Sequence, residues 1–146
     1  MTRLPKDFRD FLQLLNVHDV RYLLIGGYAV GYHGYPRATA DIDIWIEPEK
    51  HTAEKMVHVL SDFGFDRNEI SVEIFLQRDK IIRLGNPPLR IEIQMAISGV
   101  EFDPCYNERV EDIIDDISVK IISLENLKIN KKAANRYKDL DDLEKL

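Results

Sequence analysis

A single cysteine, Cys105, leaves the chain without an internal disulfide, and a reducing cytoplasm is the expected compartment. Long apolar runs are also missing. None approaches the roughly 20 residues that cross a bilayer, so no membrane partner is expected. The opening residues Met1-Thr2-Arg3-Leu4-Pro5-Lys6 lack the apolar segment of a secretory signal. Basic charge is scarce: 20 Lys and Arg stand against 26 Asp and Glu, a net charge of −6. That balance argues against a protein that coats nucleic acid nonspecifically, but leaves room for a local basic pocket. Repeats, low-complexity tracts and linker-like stretches are absent as well. The 146 residues are therefore expected to form one domain, 1–146, that buries its own core.

What is present is a regular alternation of helical and extended patterns. Phe8, Phe11, Leu12 and Leu15 recur at helical spacing after Pro5, predicting a helix that ends near Asn16. Arg21 to Ile25 reads as a buried strand, and Gly26-Gly27 turns it into a short helix, Tyr28 to His33, capped by Gly34. A strand follows over Ala40 to Ile46. Next comes a helix with Pro48 in its first turn, an apolar stripe of Ala53, Met56, Val57 and Leu60, and Gly64 as its stop. Phe65 to Lys80 is hard to read: a loop, then Ser71 to Gln77 as strand or short helix. Ile81 to Leu84 and the alternating Arg90 to Ile97 predict two more strands. Pro104 and Tyr106 fall in a loop before a charged stretch, and Val119 to Ile122 predicts a last strand. Ser123 is the expected N-cap of a helix from Leu124 to about Ala134, and a final helix contains Leu140, Leu143 and Leu146. The pattern predicts an α/β or α+β domain: a small mixed sheet flanked by helices.

Chemistry concentrates in two runs. Asp41-Ile42-Asp43-Ile44-Trp45-Ile46 places both carboxylates on one strand face and the isoleucines on the other. Adjacent carboxylates repel unless a cation sits between them, and a hard divalent ion such as Mg²⁺ favours oxygen ligands. Leu23-Leu24-Ile25-Gly26-Gly27 ends a strand in two glycines, which let backbone N–H groups approach an anionic ligand such as a phosphate. Alone, either run also fits an ordinary half-exposed strand or a simple turn; together they are more specific. Glu92, on the polar face of its own strand, is the candidate third carboxylate, as ligand, general base or both.

The quoted motifs resemble a known family. Leu24-Ile25-Gly26-Gly27-Tyr28-Ala29 followed by Arg37-Ala38-Thr39-Ala40-Asp41-Ile42-Asp43-Ile44 resembles the signature of the DNA polymerase β-like nucleotidyltransferase superfamily. Gly85-Asn86-Pro87-Pro88-Leu89-Arg90-Ile91-Glu92 and the tail Lys132-Ala133-Ala134-Asn135-Arg136-Tyr137-Lys138-Asp139-Leu140-Asp141-Asp142 are similar to runs in minimal members related to the AbiEii toxins of type IV toxin–antitoxin systems. The resemblance spans Tyr22 to Leu143.

It implies a nucleotidyltransferase-like fold and an enzyme that moves NMP from an NTP to an acceptor hydroxyl, on an RNA end such as tRNA, a protein or a small molecule. Mg²⁺ or Mn²⁺ is the implied cofactor, with Asp41, Asp43 and Glu92 as metal ligands and catalytic residues. Gly26 and Gly27 become the turn that approaches the triphosphate. Lys131 becomes the helix lysine facing the phosphates, with Lys132 as runner-up. The implied biological role is the toxin of a pair, with a cognate antitoxin as partner. Thr39, sharing the face of Asp41, offers a hydroxyl to a phosphate or a metal-bound water; Arg37 is either a substrate contact or an ion-pair partner of the acidic residues. One departure separates two readings. Relatives more often carry Asp where this chain has Glu92, one methylene longer, so the alternative is a nucleotide-binding or regulatory module without turnover.

Overall fold

The structure is a computed structural model, describing residues 4–36, 39–85 and 89–146. Its first half contains α1 (Lys6–Val17), β1 (Tyr22–Ile25), α2 (Gly26–Tyr32), β2 (Asp41–Ile46) and α3 (Lys50–Phe63). The second half contains β3 (Ile81–Leu84), β4 (Arg90–Gln94), α4 (Phe102–Asn107), β5 (Val110–Ile114), β6 (Ile117–Ile121), α5 (Leu124–Ala134) and α6 (Tyr137–Lys145). The strands form one mixed sheet in the order β3-β4-β2-β1-β6-β5. Central β1 runs antiparallel to β2 and parallel to β6, β2 is parallel to β4, and β3 and β5 are antiparallel edges. This is the mixed α/β architecture that the alternating patterns predict.

The two faces of β2 explain how the site is made. Ile42, Ile44 and Ile46 are fully buried in one core with Phe8, Phe11, Leu12 and Leu15 of α1 and Ala53, Met56 and Leu60 of α3. Each of the larger side chains contributes roughly 1.5–3 kcal/mol by leaving water, which fixes the register of the strand. The opposite face therefore has to carry Asp41, Asp43 and Trp45. Trp45 is sealed by Phe102 of α4, edge to face at 5.1 Å between ring centres. The carboxylate end of the face stays open.

Several elements differ from the sequence expectation. The charged stretch after Tyr106 is a strand, β5, paired to β6 with Ile114 opposite Ile117. Asp115 (φ 49°) and Asp116 (φ 67°) form the two-residue turn between them, and both take the left-handed conformation that such a hairpin requires. Pro104 and Tyr106 lie in α4 rather than in a loop. Pro104 is the third residue of that helix, where its missing N–H costs no intrahelical bond. Val72–Leu76 is a 3-10 turn, resolving the ambiguous segment. The helix α2 begins at Gly26 itself, not at Tyr28; β4 ends at Gln94; Pro48 precedes the N-cap Glu49 instead of sitting inside α3; and α6 stops at Lys145. The Asn86-Pro87-Pro88 part of the second motif lies outside the described residues.

Candidate active site

The parallel pairing of β2 with β4 sets Asp43 directly opposite Glu92 and Asp41 opposite Arg90. The antiparallel pairing of β1 with β2 sets Ile25 opposite Asp43, so the turn into α2 arrives beside the same carboxylate. Gly26 takes φ +68°, and a Cβ there would run into the Asp43 carboxylate. Glycine is thus required twice at this point, for the backbone angle and for the close approach.

The carboxylates do not behave alike. Burial pushes the Asp43 carboxyl up to about 7, helped by its hydrogen bond to Glu92 and by the negative charge of that neighbour; the charge of Lys138 offsets part of this. At Glu92 burial also acts upward, but the hydrogen bond from Asp43 and the Arg83 guanidinium outweigh it, and the carboxyl sits below its ordinary value. Below about pH 7 the pair therefore shares one proton, with Asp43 the weaker acid and Glu92 the stronger. Arg83 on the edge strand β3 donates from Nε to Glu92 Oε1 at 3.0 Å. Asp41 is engaged differently: Arg90 reaches its two oxygens at 3.5 and 3.4 Å, an ion pair of long hydrogen bonds. Among the described residues no group of three His, Cys, Asp or Glu side chains is gathered closely enough to hold a metal ion. Asp43 and Glu92 meet; Asp41, two residues along the same face, stands apart with Arg90.

These groups line a cavity of about 710 Å³. The turn at Gly26 and Gly27 forms one side, and Asp41, Asp43, Glu92 and Gln94 come from the sheet. Edge strand β3 adds Ile81 and Arg83, which alternate onto the cavity face, while Ala96, Ile97 and Ser98 follow β4. The C-terminal helices contribute Asn130, Lys131, Ala134, Arg136 and Lys138.

Lys131 is placed at the cavity wall but is buried, with its ammonium 3.1 Å from Asp139 and 3.1 Å from Asp142, both fully buried. Lys132 is exposed and does not line the cavity. Thr39 donates from Oγ1 to the backbone oxygen of Asp41 at 3.1 Å, so its hydroxyl braces the entry to β2. Arg37 lies outside the described residues. Sequence pattern does not mark Arg83, Gln94 or Asn130 as site residues, and it gives Arg136 and Lys138 only the role of helix ion-pair partners beside Asp139, Asp141 and Asp142. Arg83 and Gln94 could have been found from strand alternation, because each shares a face with a residue already singled out or its pairing partner. The α6 residues carry no such signal, since their approach to the sheet depends on how α6 packs on α5.

The family model for nucleotidyl transferases of unknown function (DUF2204) matches residues 5–146. No curated protein matches the chain. Among solved structures, the lincosamide antibiotic adenylyltransferase LnuA in its lincomycin-bound form is similar over 99% of this chain and 97% of its own, with a TM-score of 0.60 and 18% identity. TM1012 from Thermotoga maritima is similar over 94% of this chain and 86% of its own, with a TM-score of 0.56 and 17% identity. At these identities the two structures bear on the fold.

Proposed function

The chain belongs to the DUF2204 family of nucleotidyl transferases, and from that premise we propose that its cavity transfers NMP from an NTP to an acceptor hydroxyl, releasing pyrophosphate. The observation that carries the reading is the in-register meeting of Asp43 and Glu92 under the Gly26 turn, at the floor of a cavity large enough for a nucleotide. Mg²⁺ or Mn²⁺ fits the donor set. Two carboxylates pressed together so that one keeps its proton up to about pH 7 form a site where a divalent cation can replace that proton, and all the donors are hard oxygens. Asp43 and Glu92 would hold the ion, and Asp41 would join by releasing Arg90. Such an ion, when bound, supplies positive charge to the polyphosphate and to the departing pyrophosphate.

The remaining work falls to the chain's own groups. The backbone of Gly26 and Gly27 offers close approach to phosphate oxygens. Glu92, kept anionic by Arg83, accepts the proton of the acceptor hydroxyl as its oxygen bonds to the α-phosphorus and the bond to the bridging oxygen breaks. Ile81, Ala96, Ile97 and Ala134 give the cavity an apolar wall for a base or an acceptor. The toxin role rests on the resemblance of the Arg37–Ile44 and Lys132–Asp142 runs to AbiEii-type proteins, and the acceptor there is an RNA end, a protein or a small molecule. A second reading, a nucleotide-binding module without turnover, is favoured by one observation: the engagement of Glu92 by Arg83 and of Asp41 by Arg90.

The test is to incubate the protein with each α-labelled NTP, Mg²⁺ and either total RNA or lysate. Transfer labels a discrete acceptor, and Glu92→Gln stops labelling while NTP binding persists. A wild type that binds NTP and labels nothing selects the module; one that does neither refutes both readings.

A further inference from the structure

The floor of the cavity is anionic, so any polyphosphate that enters it has to be met by cations on the walls. Among the described residues four cationic side chains line the cavity: Arg83, Lys131, Arg136 and Lys138. Two are already engaged. Arg83 is tied through Nε to the floor carboxylate Glu92 at 3.0 Å, which holds it to the anionic floor, and the Lys131 ammonium is enclosed between Asp139 and Asp142 with almost no exposed surface. A lysine so enclosed cannot reach a ligand without abandoning two buried carboxylates.

The two cations of the C-terminal segment are in a different state. Lys138 is exposed and makes no hydrogen bond or ion pair among the described residues, yet its charge is felt at Asp43 across the cavity. Arg136 donates from Nε to Asp139 Oδ2 at 2.6 Å and from Nη2 to Oδ1 at 3.2 Å. Its side chain nonetheless remains 61% exposed, and the rest of its N–H fork is uncommitted among the described residues. Asp139 is the common joint. It accepts from the Lys131 ammonium, from the Arg136 guanidinium and from the Arg136 backbone N–H at 3.2 Å, which ties the start of α6 to α5.

We propose that Lys138 and Arg136 form the polyphosphate clamp of the cavity, and that Lys131 is a positioning residue that acts through Asp139 rather than a phosphate ligand. This deepens the nucleotidyl transfer reading and rests on it for the identity of the polyphosphate. The clamp grips the β- and γ-phosphates of an incoming NTP and the pyrophosphate that leaves, whereas an NMP, lacking both phosphates, feels it weakly. For phosphate binding, Lys131 matters because it fixes Asp139, which aims Arg136.

The experiment is isothermal titration of the full chain at 20 °C with inorganic tripolyphosphate, and with each of the four NTPs and NMPs in the presence of Mg²⁺. Lys138→Ala is expected to weaken tripolyphosphate and the preferred NTP by about tenfold or more, the loss of one charge-assisted contact, while NMP affinity stays within twofold. Arg136→Ala is expected to do the same. Combining Lys131→Met with Arg136→Ala is expected to weaken binding no further than Lys131→Met alone, since one acts through the other. NTP binding that Lys138→Ala and Arg136→Ala leave unchanged overturns the clamp and leaves the transfer reading intact. Additive losses in the double variant overturn the positioning role of Lys131. Wild type that binds tripolyphosphate but no NTP upholds the clamp and removes the nucleotide from the site; binding of neither overturns both.

Discussion

Replacing Asp43 with Asn should make the metal-free protein more stable, and increasingly so as the pH rises. In the unfolded chain Asp43 titrates at its ordinary 3.8; in the fold, burial and the Glu92 neighbour move it to about 7. The folded state thus binds more protons than the unfolded state between those values, so stability is lost as the pH rises through the window from about 4 to 7. Ionising Asp43 in the metal-free site costs the fold up to about 4 kcal/mol above pH 7. Glu92 works the other way: held below its ordinary value, it contributes stability above the unfolded value that is lost as the pH falls, which trims the net slope. An asparagine keeps the size of the protonated acid and can still donate to Glu92, but never ionises. Chemical denaturation of wild type and Asp43→Asn in EDTA from pH 4 to 8.5 reads the difference for the Asp43–Glu92 pair, because the titrating groups outside that pair are common to both. The variant should match wild type near pH 4 and exceed it by up to about 4 kcal/mol at pH 8.5, a gain in Tm on the order of 10 °C. Millimolar Mg²⁺ should then raise wild type alone and narrow the gap. Parallel pH curves, or a variant less stable at pH 8.5, would show that the two carboxylates do not share a proton.

Gly26→Ala forces a left-handed alanine, at about 1–2 kcal/mol, and drives a methyl group into the Asp43 carboxylate. Nucleotide titration should therefore show binding lost while circular dichroism keeps the fold; intact binding would separate the turn from the site. Lys131→Met leaves buried Asp139 and Asp142 without their shared cation and should cost about 3–5 kcal/mol in urea unfolding. Exposed Lys132→Met should stay within about 0.5 kcal/mol, and similar values for both would mean that the enclosure of Lys131 carries no stability. Arg83→Ala removes the guanidinium that, together with the hydrogen bond from Asp43, holds Glu92 below its ordinary carboxyl value. The acid limb of the pH–rate profile for transfer should then move to higher pH, and an unmoved limb would remove Glu92 from the role of base.

The elements that sequence pattern identified are those whose residues report on burial. Ile42, Ile44 and Ile46 alternate against Asp41 and Asp43, and that alone fixed which side chains share a face. The neighbour relation of Asp43 and Glu92 was legible only as a conditional, because alternation shows what a strand presents and not which strand lies beside it. Register is set by the buried partner faces, here Ile42 beside Ile91 and Ile44 beside Ile93. The strand β5 escaped for the opposite reason. Its Glu111 and Asp112 are exposed on an edge, so apolar periodicity is weak, and the cue was the Asp115-Asp116 pair, which tolerates positive φ. The lysines show where pattern stops altogether. Lys131, Lys132 and Lys138 are chemically identical on the page, and a helix neighbour rule separates only the first two. What sorts all three is that Asp139 and Asp142, one turn apart on α6, close over the single lysine of α5 that faces them. A lysine so enclosed has exchanged its freedom to bind a ligand for the task of docking one helix on another. The same docking brings Lys138 to the cavity wall without an ion-pair partner among the described residues, so the C-terminal segment divides into residues that dock α6 on α5 and the cations of the proposed clamp.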